Sequence, residues 1–522
     1  KIRLDFDKVG KITKLANHQI LALSSIENYI ISGSGKDVVY GSDANDFIYE
    51  KLNTEIRGDN FGFFSGGDQF HSSPGNDIIF GGHQLSGGGG YYRDEYIYLS
   101  DFDNDLIVDF KVKPSTIKES KDGKYNDYLF ISKFINNTNI QNASDVLNNI
   151  VRLDYGDLKL SIGNDSITFN GISFDDLDLS QIVVFNPYDS VIQGTKTSMG
   201  FHVDDVLTGT SSNDRIEGSE NPFGRHSDGS DRLTGGGGDD LLIGGENTNA
   251  SGGYDVDTYI FGDNSGDDQI LGFFTGGSGR DTRYYDRIEI TSGINGSNIT
   301  SSQDVLDRLS SNADGDAVID LGSGNSILVK GVKTAEILSK HIIIHKPYNT
   351  LLQGTKTSMG FHVDDVLTGT SSNDRIEGSE NPFGRHSDGS DRLTGGGGDD
   401  LLIGGENTNA SGGYDVDTYI FGDNSGDDQI LGFFTGGSGR DTRYYDRIEI
   451  TSGINGSNIT SSQDVLDRLS SNADGDAVID LGSGNSILLK GVTTGELHPH
   501  NIDIVKNYQL DTMGKTDWIG LQ

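Results

Sequence analysis

Seven aspartates recur three times along the chain, each followed two residues later by an apolar residue. In the middle third they are Asp205, Asp214, Asp231, Asp240, Asp257, Asp268 and Asp286, trailed by Leu207, Ile216, Leu233, Leu242, Tyr259, Ile270 and Ile288. The steps between them are 9, 17, 9, 17, 11 and 18. The last third repeats those steps with Asp365, Asp374, Asp391, Asp400, Asp417, Asp428 and Asp446, and the first third gives Asp37, Asp46, Asp68, Asp77, Asp94, Asp105 and Asp127. Glycine stands two residues ahead of many of them, as Gly35, Gly75, Gly229, Gly238, Gly389 and Gly398. A carboxylate and an apolar anchor in each row of nine, with glycine making the turn, is the sequence form of a calcium-loaded parallel β-roll.

The chemistry behind that reading is specific. Calcium takes six to eight oxygens, and glycine turns present main-chain carbonyls at little steric cost. Successive rows of a roll alternate sides, so aspartates two rows apart stack and can share ions. Asp214, Asp240 and Asp268 form one stack; Asp205, Asp231, Asp257 and Asp286 form the other. The apolar residue at the second position after each aspartate points inward and builds a core that is thin without metal. Glycine is missing near Asp94, Asp105 and Asp286, where ligation is the least secure. Asp286→Ala is accordingly expected to do less damage than Asp240→Ala.

Charge points the same way. Acidic residues outnumber basic ones 79 to 40, a formal charge of −39. Such a chain repels itself until cations bind, and the same sign argues against nucleic acid and anionic membrane as partners. With no cysteine there are no disulfides and no thiolate metal sites. No apolar stretch approaches the roughly 18 residues of a membrane span. The start of the chain has neither Met nor a signal-peptide core, so a fragment or processed product is expected.

Residues Gln193 to Leu328 recur letter for letter as Gln353 to Leu488, 136 residues at an offset of 160. Boundaries are expected near the tyrosines at 188, 348 and 508, leaving 509–522 as a tail or the start of another module. Within a module a helix is expected over 301–311 (142–150 in the first), then a hairpin from 317–321 and 326–332, closing the end of the roll. Three rows carry insertions: 220–227, 246–253 and a stretch within FFTGGSGRDTRYY; the first module has one at 83–90 and a longer one in the EKLNTEIRGDNFG region before Asp68. All fall in odd rows, so the extra loops share one side. Tyr284, Tyr285, Phe273 and Phe274 suit either a sugar-stacking platform or interior packing, with packing favoured. No H-E-x-x-H, G-x-S-x-G or Walker P-loop is present.

The segment GGGGDDLLI, at 235–243 and again at 395–403, resembles the nonapeptide of the RTX (repeats-in-toxin, hemolysin-type calcium-binding) family; GTSSNDRIE (209–217) and SGSGKDVVY (32–40) resemble it more loosely. The resemblance implies an all-β fold of tandem calcium-binding parallel β-rolls, each closed by a short helix and a β-hairpin. It also implies several Ca²⁺ ions per module, secretion by a type I pathway and folding outside the cell. Family members include toxins, enzymes, adhesins and surface-layer proteins, so the fold does not name the function. The duplicated modules favour a non-enzymatic, calcium-dependent structural or adhesive cell-surface protein, self-associating or engaging neighbouring subunits. Two alternatives stand beside it: the secretion and folding region of a toxin or enzyme, and a carbohydrate-binding module using the inserted loops.

Overall fold

The structure, a computed structural model, describes residues 69–80, 94–108, 110–112, 127–154, 156–194, 205–218, 230–245, 256–276, 285–355, 364–378, 389–405, 416–436 and 445–506, with the backbone of strands Ile12–Lys14, Asn28–Ser32, Val38–Tyr40 and Asp46–Glu50. The inserted loops at 83–90, 220–227 and 246–253, with the copies at 380–387 and 406–413, lie outside the described residues. The chain forms two compact units: residues 1–300 with 304–343, and 344–522 with 301–303.

In the second unit, short strands alternate between two parallel sheets. One runs Thr350–Gln353, Asp374–Glu377, Leu401–Ile403 and Asp427–Leu431; the other runs Val366–Thr368, Arg392–Thr394, Thr418–Phe421 and Arg447–Thr451. Each strand after Thr350–Gln353 lies just after an aspartate or contains it, and the aspartate-plus-two residues pair in register. Ile376, Leu402 and Ile430 align on one sheet, and Leu367, Leu393, Tyr419 and Ile448 on the other. Apart from Leu367, which is partly exposed, these side chains are fully buried and line the gap between the sheets. Strict alternation is what a turn at every ninth residue imposes: each row has length for one strand and one bend.

The closing segment behaves partly as expected. The helix is shorter, Ser462–Leu466 and likewise Ser302–Leu306, because Leu469–Ser471 and Leu309–Ser311 leave it to pair as strands. Ser461 and Asp464 form a capping box at its start. The antiparallel hairpin Ala477–Gly482 and Asn485–Leu489 then joins the roll, its second strand pairing in parallel with Asp427–Leu431. A further strand, Ile502–Val505, extends the opposite sheet beside Arg447–Thr451.

The first unit holds two such arrangements. Its second uses Asp214–Glu217, Leu241–Ile243 and Asp267–Leu271 on one sheet, and Arg232–Thr234, Thr258–Phe261 and Arg287–Thr291 on the other. Between the two lies an apolar cluster of Ile97, Phe130, Val183 and Phe185 with Leu241, Ile243 and Leu271. Arg215, 1% exposed, crosses it to Glu95 at 2.5 Å, also pairs with Glu217, and lies 4.7 Å from the Phe130 ring centre. Among the described residues no helix is long and apolar enough to cross a membrane.

Candidate metal centre

The aspartates form two ladders. In each, the main-chain N–H of one aspartate donates to the carboxylate of the aspartate two rows on. Asp214 N–H reaches Asp240 Oδ1 at 2.7 Å, and Asp240 N–H reaches Asp268 Oδ1 at 2.9 Å. On the other side Asp205 donates to Asp231 (2.8 Å), Asp231 to Asp257 (2.9 Å) and Asp257 to Asp286 (3.0 Å). The duplicate repeats both: Asp374 to Asp400 to Asp428, and Asp365 to Asp391 to Asp417 to Asp446. In the first module Asp77 donates to Asp105 (2.8 Å) and Asp94 to Asp127 (3.0 Å). Asp46 heads a strand whose side chains are not described, and Asp37, Asp68, Gly35 and Gly229 lie outside the described residues.

One ladder of each module is followed by a residue the sequence does not single out. Gly266 N–H donates to Asn325 Oδ1 at 2.8 Å, so the closing hairpin supplies one more carbonyl-type acceptor. Asn485 does the same for Gly426, and Asp165 for Phe102. The other ladder ends on Asp286, fully buried, whose Oδ1 takes the Asp257 amide and whose Oδ2 takes that of Phe274 at 2.7 Å. Asp446 and Asp127 make the same pair of bonds. These three are clamps whose carboxylate oxygens are engaged by main-chain amides.

Asp240 differs. It is 2% exposed and its Oδ2 meets no hydrogen-bond donor, as is true of Asp400. Burial pushes its carboxyl up to about 7: the Asp214 amide pulls it back down, and the Asp214 and Asp239 carboxylates raise it further. The duplicate Asp400 also sits at about 7, while Asp268, Asp428 and Asp105 reach about 8, burial again the main cause. Buried carboxylates stacked on like charge favour the protonated form unless a cation joins them.

The turns explain why glycine is required beside them. A Cβ on Gly235 would stand 2.1 Å from Asp240 Oδ2, and one on Gly236 would stand 2.0 Å from Thr210 O. Gly238 and Gly398 hold φ at +101°, Gly389 at +120° and Gly75 at +134°, regions that other residues rarely adopt. A Cβ on Gly266 would be 2.0 Å from Gly238 O. Carbonyl oxygens therefore project into the space that side chains would otherwise fill, beside buried carboxylate oxygens. Among the described residues no three of His, Cys, Asp or Glu gather as a ready cluster. The carboxylates alone do not complete a shell, and main-chain carbonyls are the remaining donors. An all-oxygen set of this kind suits a hard cation such as Ca²⁺.

Of the aromatic residues that suited either sugar stacking or packing, Phe273 is buried against Tyr259, and both it and Tyr285 stack edgewise on His341. Packing accounts for both; Tyr284 lies outside the described residues.

The family model of the RTX calcium-binding nonapeptide repeat (four copies) matches residues 27–49, 64–84, 203–221, 227–249, 363–381 and 387–409. These segments hold the first four aspartates of each module, whereas the ladders run on through Asp257 and Asp268 beyond them. No curated protein matches the chain. Among solved structures the chain is similar to the extracellular lipase LipA from Serratia marcescens, at 15% identity and a TM-score of 0.18, over 66% of this chain and 45% of the lipase. The chain thus spans less than half of that lipase's length. With the matched segments at phased positions on parallel strands, the chain carries RTX calcium-binding nonapeptide repeats.

Proposed function

We propose that the chain is a secreted, calcium-dependent structural or adhesive protein of the cell surface, built of modules bounded near 188, 348 and 508. Its metal ligands are the ladder aspartates from Asp37 to Asp428 named at the outset, other than the clamps Asp127 and Asp286, with the carbonyls of the glycine turns. The observation that carries this reading is what the duplication keeps. The 136 residues from Gln193 that recur from Gln353 contain both ladders, their turns and the hairpin that ends them. Two copies of a calcium-stiffened body add length and repeat surface, which serves an extended protein engaging neighbours. Type I secretion fits a chain of charge −39 that stays open in calcium-poor cytosol and closes outside. Electron microscopy in millimolar calcium tests it: sheets or fibres that dissolve on chelation are expected. Discrete particles at every calcium concentration would favour a secretion and folding region of a larger toxin or enzyme. Calcium-dependent retention on a glycan array would add the carbohydrate-binding role.

A further inference from the structure

The first and second modules of the first unit are joined by residues 186–190, and this connector is bonded to the aspartate turns themselves. Asn213, the residue before Asp214, makes the link. Its side-chain Oδ1 accepts from Asp239 N–H at 2.8 Å, inside the next turn of the same ladder. Its Nδ2 donates to Pro187 O at 3.0 Å, and its own carbonyl accepts from Asp189 N–H at 2.6 Å. Two more bonds run from the connector to the turns. Asn186 Nδ2 donates to Asp239 Oδ2 at 2.9 Å, and the Ser190 hydroxyl donates to Asp214 Oδ1. The connector leaves Ile182–Phe185, the last strand of the first module, whose Val183 and Phe185 pack on Leu241, Ile243 and Leu271 of the second. Asp240 and Asp268 line a cavity here together with Ala143, Asn186 and Asp314.

We propose that Asn213 couples the aspartate turns to the joint, so that calcium loading of the second module's first ladder fixes the connector and the way this module docks on the first. The inference rests on the calcium reading above. A loaded ladder fixes the spacing of the Asp214 and Asp239–Asp240 turns, and Asn213 spans those turns and the connector at once. An empty ladder leaves the same four connector bonds attached to turns that are free to separate. The second unit supplies a variant of the device. Asn373 bonds Pro347 O (3.1 Å) and Asp399 N–H (2.8 Å) as Asn213 does, but Lys346 replaces Asn186 and pairs with Asp399 at 2.5 Å. There an ion pair grips the turn where the first connector has only an amide.

The chain has no cysteine, so two exposed serines, Ser161 and Ser311, can be changed to cysteine and spin-labelled in the full-length protein. Asn213→Asp keeps the acceptor for Asp239 and removes the donor to Pro187; Asn186→Ala removes the second bond and touches no ladder aspartate. In saturating calcium the parent is expected to give one narrow label-to-label distance. Both variants should lose that narrow component while the calcium-induced circular dichroism change keeps the parent's amplitude. Asn186→Lys should restore it at lower calcium than the parent needs. An unchanged distance distribution in both Asn213→Asp and Asn186→Ala overturns the coupling and leaves the calcium reading intact. A parent whose circular dichroism ignores calcium overturns the calcium reading itself.

Discussion

The roll and the closing segment of one module share a core but are stabilised by different means. In the second unit, Ile376, Leu393, Leu402, Tyr419, Ile430 and Ile448 from the roll pack in one cluster with Ile454, Ile459, Val465, Ala477, Ile479 and Leu481 from the closing segment. Around the roll residues stand buried carboxylates, Asp400 and Asp428 among them, each with an oxygen that no donor meets. Around the closing residues the carboxylates are answered by the protein. Lys490 Nζ lies 3.1 Å from both Asp474 and Asp476, and Asp464 takes the amides of Thr460 and Ser461 at 2.9 Å. Burying an unanswered charge is costly, and a paired one far less so. The roll is therefore the part of the module that requires a cation, and the closing segment is the part that does not.

Removing the cation should have the largest effect. Extracellular calcium modules bind with Kd about 10⁻⁴–10⁻³ M, so millimolar calcium is expected to fold the chain and excess chelator to unfold it. Circular dichroism reads this directly, and a β-rich spectrum that survives chelation would break the contrast between roll and closing segment. Next in size is a cut in the closing core: Ile319→Ala with Ile479→Ala should cost about 2–5 kcal/mol per module. That loss should appear in denaturant melts at saturating calcium, with little change in the calcium midpoint.

A third pair of variants separates two kinds of aspartate within the roll. Asp240→Ala with Asp400→Ala removes a carboxylate oxygen that is free for a cation, and should raise the calcium midpoint on the order of tenfold. Asp286→Ala with Asp446→Ala instead strips the acceptors from one buried and one half-buried amide in each module, at about 1–3 kcal/mol for the buried one, and should lower stability even when calcium saturates. Identical behaviour of the two double variants in both assays would show that the ladder ends are not clamps. The expectation that Asp286 matters less came from its glycine-poor row; its two main-chain bonds make its loss different in kind.

What the sequence made legible follows from what is periodic. Rows of 9 and 17 residues fix which aspartates stack, because alternation leaves no other phase once Ile216, Leu242 and Ile270 must all face inward. The hairpin of 317–321 and 326–332 was visible for the same reason, its turn residues interrupting an alternating pattern. Arg215 was not. Position by position it is an outward residue on a short strand, and only the docking of another module buries it beside Glu95, 120 residues away in sequence. Asn325 and Asn213 also stayed hidden: each is an ordinary turn asparagine until the fold sets an amide from a distant row against it. The helix was read too long because Leu309 continues a helical stripe, whereas pairing with Ile319 draws it into the sheet.

The smallest expected effect is a pH dependence confined to the roll. In the calcium-free fold Asp240 titrates at about 7 and Asp268 at about 8, against an ordinary value of 3.8. Between these limits the folded chain holds protons that the unfolded chain has released. The contribution of these groups to calcium-free stability is present in acid and lost as pH rises through 7 and 8. Calcium binds the ionised carboxylates, so loading the ladder expels those protons and gains from alkali. For the population that stays folded without calcium, the calcium midpoint should accordingly fall several-fold from pH 6 to pH 8, and the dependence should flatten when Asp240, Asp268, Asp400 and Asp428 are all changed to Asn. The closing segment offers a control, since Asp464 is held below the ordinary carboxylate value by the amides and hydroxyls of Thr460 and Ser461 and stays ionised across this window. A midpoint that is level from pH 6 to pH 8 in the parent would mean that the ladder carboxylates are already ionised without calcium. The roll would then be no more in need of a cation than the hairpin that closes it.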